Sequence, residues 1–127
     1  MPARALTSLG AVAVAAAAAA LAGCGGDSGG APATSGPIPV RASDSSCEVG
    51  QTTLPAGTHT FAVTNAGSQV TEFYVYAPGD RVVGEVENIG PSLTRNLTVD
   101  LPAGTYQTAC KPGQSGTGIR APLTVTN

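Results

Sequence analysis

From Ile38 onward, apolar and polar residues alternate in short runs, and Gly or Pro interrupts the chain every ten residues or so. Alternation with period two places successive side chains on opposite faces of an extended strand. Thr and Val fill the runs, as half-buried pleated surfaces favour. The pattern predicts strands over 40–43, 52–54, 58–64, 71–76, 81–86, 92–100, 105–110 and 119–126. Turns are expected at Pro55-Ala56-Gly57, Asn65-Ala66-Gly67, Pro78-Gly79-Asp80, Pro102-Ala103-Gly104 and Pro112-Gly113. No segment of this region carries a helical period. The expectation is a small all-β sandwich or barrel of about 7–8 strands.

Parity assigns the faces. Phe61 and Val63 share one face, opposite Thr60, Ala62 and Thr64. Phe73 and Val75 point inward, with Glu72, Tyr74 and Tyr76 on the other side. Leu93, Leu97 and Val99 share a parity, as do Tyr106, Thr108 and Cys110. Tyr106 is placed to act as a corner tyrosine whose hydroxyl ties a loop. A short phrase occurs twice, Leu54-Pro55-Ala56-Gly57-Thr58 and Leu101-Pro102-Ala103-Gly104-Thr105, each time before a strand. Two copies are too few for a repeat array. They read as one solution used twice, a turn that delivers a strand to the opposite sheet of a Greek key.

The front of the chain follows a different rule. Arg4 precedes an apolar, Ala-rich run over 6–21 that is short and weakly hydrophobic for a membrane span. A charged start, an apolar run and small residues before a cleavage point describe an export signal over residues 1–23. Leu21-Ala22-Gly23-Cys24 resembles the bacterial lipobox, which makes Cys24 the lipidated residue and the membrane the anchor. Residues 24–37 are, after Cys24, Gly, Ser, Ala, Pro and Thr with one charge, Asp27, and read as a flexible linker. Residues 38–127 then form the folded domain, outside the cell membrane and tethered to it.

Lipid on Cys24 leaves Cys47 and Cys110. An even pair in an exported chain reads as a disulfide, and the alternative is two thiolates sharing a metal. Loss of Arg4 with the signal leaves five scattered basic residues against eight acidic ones. That distribution offers no basic patch for nucleic acid. The one histidine, His59, has no evident Ser and Asp partners for nucleophilic catalysis and reads as a half-buried rim residue or a lone ligand. No phosphate-binding loop is present, and the chain is not expected to be an enzyme.

Several residues carry a family resemblance. Pro102-Ala103-Gly104-Thr105-Tyr106 leading to Cys110 is similar to the last-but-one strand of a cupredoxin. Cys47-Glu48, Thr71-Glu72-Phe73, the segment Val82 to Pro91 containing Glu85 and Glu87, and Cys110 together resemble the cupredoxin domain of EfeO-type iron-uptake proteins. The resemblance covers 38–127. It implies a Greek-key, cupredoxin-like (immunoglobulin-like) β-sandwich that handles iron or copper for a permease or another envelope protein. Members of that family often carry a large helical domain as well, and this sequence is read as the cupredoxin-like domain alone. The resemblance names Glu72, Glu85, Glu87, Cys47 and Cys110 as the metal-binding set. Carboxylate oxygens suit Fe³⁺, whereas thiolates favour copper or zinc. A blue-copper site needs a Cys, two His and usually a weak axial Met. Thr71 stands where a cupredoxin places its first ligand His, and neither His nor Met follows Cys110, so no type 1 copper site is expected. The competing expectation is a metal-free, disulfide-stapled sandwich that docks on an envelope protein.

Overall fold

The computed structural model describes residues 36–127. The export signal over 1–23, Cys24 and most of the 24–37 linker lie outside them. The described residues form nine strands: β1 (Ile38–Ala42), β2 (Cys47–Val49), β3 (Thr53–Pro55), β4 (Gly57–Asn65), β5 (Thr71–Ala77), β6 (Arg81–Ile89), β7 (Thr94–Leu101), β8 (Gly104–Cys110) and β9 (Ile119–Thr126). A single 3-10 turn, Pro112–Gln114, separates β8 from β9. No helix among the described residues is long and apolar enough to cross a membrane.

The strands build two sheets, ordered β2-β1-β4-β7 and β3-β9-β8-β5-β6. β1 runs parallel to β4, and β3 runs parallel to β9. All other pairings are antiparallel. The result is a Greek-key sandwich. Its inner faces carry the alternating apolar residues expected from parity. Phe61 and Val63 of β4, Phe73 and Val75 of β5, and Leu123 of β9 are fully buried. The rings of Phe61 and Phe73 meet across the sandwich, 5.4 Å between centroids and tilted by 48°. A tilted contact at this distance suits the quadrupoles of two aromatic rings.

Both Pro-Ala-Gly turns switch sheets, the first between β3 and β4 and the second between β7 and β8. They do so differently. Gly57 has φ +140°, a region closed to most side chains, and Gly104 has no positive φ. The second turn is instead tied by Tyr106, whose hydroxyl donates to the Pro102 carbonyl at 2.7 Å. The corner role expected for this tyrosine is thus met.

Three differences from the expected pattern have local causes. β2 has only three residues, too few to show a period, and was not expected. Leu93 is 57 % exposed instead of joining Leu97 and Val99 inside, because β7 starts two residues later than expected, at Thr94. β6 continues to Ile89, beyond the expected end at Val86. It does so through a bulge: Thr71 pairs with Ile89 and Phe73 with Val86, so two residues of β5 oppose three of β6. Asn88 takes φ 56° there. The bulge lets Val86 and Ile89, three apart in sequence, both enter the core.

One end of the sandwich is tied by polar groups. The Asp44 carboxylate accepts from the Ser68 hydroxyl at 2.6 Å and from the Ser68 amide at 3.0 Å. These bonds, the hydroxyl's first, hold its carboxyl below the ordinary aspartate value. Gly67 is required beside it, because a Cβ there would collide with Asp44.

Thr108 contrasts with this end. Its Oγ1 is buried, faces the core and has no hydrogen-bond partner among the described residues. Burying a hydroxyl without a partner is unfavourable. Thr108→Val keeps the branched shape and should raise the unfolding free energy by about 1 kcal/mol. Urea denaturation checks this, and a loss of stability would show that the hydroxyl is bonded after all.

Candidate functional site

The outer face of the five-stranded sheet is unusual for a surface. β5 is buried along its whole length, on both faces. On the outer side Tyr74 and Tyr76 stack with ring centroids 5.4 Å apart and planes within 4° of parallel. Lys111 Nζ lies 4.0 Å from the Tyr74 centroid, and the Arg120 guanidinium 4.4 Å from that of Tyr76. Arg120 is held in place by Asp80 at 2.7 Å and by Gln107 at 3.1 Å. Two cations on two electron-rich rings therefore shield β5 from solvent.

Two carboxylates hydrogen-bond the Tyr74 hydroxyl, and a third lies on the neighbouring strand. The hydroxyl donates to Glu87 Oε1 at 3.2 Å. It also hydrogen-bonds the side chain of Glu72, two residues back on the same face. Glu85 is the register partner of Tyr74 across the β5–β6 ladder. Burial, then the bonds and charges of these glutamates, keep the phenol protonated well above its ordinary pKa. The backbone supports this arrangement. The bulge sets Glu87 on the outer face between two core residues, and the Arg95 guanidinium donates to the Glu87 carbonyl at 2.7 Å. The Glu72 carbonyl accepts from the Lys111 amide at 2.9 Å, which joins β5 to the segment after β8.

At the Tyr74 hydroxyl, acceptors outnumber the one donor. A phenol has one proton to donate, whereas each carboxylate offers two acceptor oxygens. Among the described residues, no Lys or Arg forms an ion pair with Glu72, Glu85 or Glu87; the ion pair found is Arg120–Asp80. Glu72 is 8 % exposed. Among the described residues, no group of three or more His, Cys, Asp or Glu side chains is placed to hold a metal ion.

The two cysteines of the expected set stand elsewhere. Cys47 and Cys110 are bonded to each other, with Cα atoms 5.5 Å apart. The bridge ties β2 of one sheet to β8 of the other. Cys110 is fully buried and paired in register with Phe73, so its side chain is on the core side of the sheet. The glutamates are on the opposite side. Of the five residues, Glu72 and Glu87 hydrogen-bond the Tyr74 hydroxyl, Glu85 is Tyr74's register partner, and the two sulfurs are joined in the disulfide. His59 is in the other sheet, its Nε2 2.7 Å from the Pro55 carbonyl oxygen. A disulfide-bonded Cys110, one distant His and a buried Thr71 do not fit a type 1 copper ion.

Tyr74 itself was not singled out by the sequence pattern. Its parity with Glu72 was visible there, but its meeting with Glu85 and Glu87 depends on the β5–β6 register and the bulge.

The profile of the cupredoxin-like domain family matches residues 8–125. This chain belongs to the cupredoxin-like domain family. The cupredoxin-like chain is 34 % identical over 73 residues to the iron uptake system component EfeO of Yersinia pseudotuberculosis, covering 58 % of this chain and 19 % of that one. EfeO of Yersinia pestis matches to the same extent. The chain thus spans about a fifth of the length of these relatives, at 19 % coverage. Two solved cupredoxin structures share its fold. Reduced auracyanin of Roseiflexus castenholzii superposes with a TM-score of 0.59 at 17 % identity, covering 71 % of this chain and 96 % of auracyanin. The azurin of Methylomonas sp. strain J gives 0.54 at 14 % identity, covering 73 % and 99 %.

Proposed function

We propose that this cupredoxin-like chain is a lipid-anchored, extracytoplasmic, non-enzymatic protein of an iron-acquisition system, and that ferric ion is its cargo. The observation that carries the reading is the set Glu72, Glu85 and Glu87 around one buried phenol, rich in oxygen acceptors and without an ion-pair partner among the described residues. Hard oxygen donors suit Fe³⁺ better than soft metals. The identity with EfeO supports iron over copper. Cys24 would hold the domain at the membrane by lipid, on the 24–37 linker, within reach of a permease or another envelope protein.

The test is metal analysis of protein purified without chelators, followed by titration with Fe³⁺ and Cu²⁺. Stoichiometric Fe³⁺ binding is expected. The Glu85→Ala, Glu87→Ala double variant should bind Fe³⁺ at least about tenfold more weakly, a change of about 1.4 kcal/mol. Absence of binding by the parent, or equal binding by the double variant, overturns the reading.

A further inference from the structure

We propose that the Cys47–Cys110 bond is a thiol-sensitive latch on the edge of the four-stranded sheet. A dithiol reductant that opens it frees β2 and uncovers the outer edge of β1, while the sandwich stays folded. The two ends of the bond differ in access. Cys110 is fully buried in β8, whereas Cys47 is only partly buried, at the rim of the core. A thiolate arriving from solvent therefore meets the Cys47 sulfur. Apart from the bond, little holds this strand. β2 ends its sheet and pairs in register with β1 alone, Val40 with Val49, Arg41 with Glu48 and Ala42 with Cys47. The Gly50 amide adds one bond, to the Pro39 carbonyl at 2.8 Å. All of these are made to β1, and so short a ladder is marginal by itself.

The turn before β2 is anchored separately. Asp44 bonds Ser68, and Ser43 closes on Ser46 through its amide at 2.9 Å and its hydroxyl at 2.7 Å. Release is thus confined to residues 47–50. The Phe61–Phe73 contact and the buried side chains of β4, β5 and β9 belong to strands paired elsewhere, so the core does not rest on β2. The exchange balances between bridge and reductant. One thiolate attacks the Cys47 sulfur, the S–S bond breaks with its electron pair on Cys110, and that sulfur takes a proton. The second thiol then displaces Cys47 as a thiol, and the reductant departs as a disulfide. A neutral thiol suits the site of Cys110, since free cysteine packs as a small hydrophobe. The opened edge leaves β1 with unpaired backbone groups, the part of a sheet to which another strand adds.

The full chain is reduced with dithiothreitol, and amide hydrogen exchange and far-ultraviolet circular dichroism are recorded. Exchange over 47–50 should accelerate about tenfold or more, while β5 and β8 keep their protection and the dichroism is unchanged. Iodoacetamide should modify Cys47 in the folded, reduced protein and Cys110 only in urea. The Cys47→Ser, Cys110→Ser double variant should show the same exchange pattern without reductant, and the reduced parent carries the test if that variant fails to fold. Unchanged exchange over 47–50 on reduction overturns the latch. So does loss of protection throughout the domain, or a bridge that resists dithiothreitol until urea is added.

Discussion

Replacing both bridging cysteines, Cys47→Ala with Cys110→Ala, should lower the unfolding free energy by about 4 kcal/mol. The bridge closes a segment with a sequence separation of 63, and the chain-entropy relation for a loop of that length gives this value. Small domains are typically stable by only about 5–15 kcal/mol, so the loss is a large fraction of the total. The melting temperature should fall by roughly 20 °C. The structure adds reasons for the bridge to matter. β2 has three residues and pairs only with β1, so its own ladder holds it weakly. The bond fixes this strand to β8 of the opposite sheet through a fully buried Cys110. Denaturant unfolding with and without reductant is the measurement. The urea m-value should also rise when the bridge is absent, because the unfolded chain then exposes more surface. A change below about 1 kcal/mol would mean that the unfolded state is restricted by something other than the bond. If the double variant is folded at the assay temperature, it should bind Fe³⁺ like the parent, since the sulfurs and the carboxylates occupy opposite faces of the sheet.

That separation of faces was only partly readable in the sequence. Parity along β5 put Phe73 inside and Glu72, Tyr74 and Tyr76 outside, and the structure agrees. Parity along β8 put Cys110 with Tyr106 and Thr108, also correctly. Their relation across strands is a matter of register, which one strand's pattern does not carry. Cys110 lies opposite Phe73, and that pairing alone shows that it cannot share a face with Glu72. The β6 bulge was hidden for a related reason. Strict alternation from Val82 would carry Ile89 away from the face of Val86, and only the left-handed Asn88 restores it. Burial of the outer side of β5 was equally out of reach. It depends on Lys111 and Arg120, which follow Tyr76 by 35 and 44 positions and read as ordinary surface cations until the sheet is assembled. Where a strand is long and alternates regularly, sequence and structure coincide, as for β9, expected and found over Ile119–Thr126.

Asn65→Ala should cost about 3 kcal/mol, far more than a typical polar-to-alanine change. Asn65 ends β4 and is 1 % exposed. Both hydrogens of its side-chain amide are used, one on the Gln69 carbonyl at 2.7 Å and one on the Ile89 carbonyl at 2.8 Å. Its Oδ1 accepts from the Gly67 amide at 2.8 Å. Its backbone adds bonds with Leu93 and Ser92, each of 2.9 Å. One residue thus ties the turn after β4, the end of β6 and the start of β7. Truncation removes three bonds and strands their backbone partners, the Ile89 carbonyl fully buried and the other two partly buried. Each stranded group costs roughly 1–3 kcal/mol, and partial relaxation brings the total to about 3. Asn65→Asp separates the contributions. It keeps the acceptor for Gly67 but aims a carboxylate at two carbonyl oxygens, so it should be at least as destabilising as Asn65→Ala at neutral pH and less so in acid, where protonation restores one donor. Urea unfolding at two pH values reads both effects. The consequence should extend to the face carrying Glu85 and Glu87. Ile89 follows the Glu87–Asn88 bulge, so loosening it should weaken iron binding in variants that remain folded. A cost below 1 kcal/mol for Asn65→Ala would show that water replaces the side chain at these backbone groups, and that the end of the sandwich is set by its loops and not by this amide.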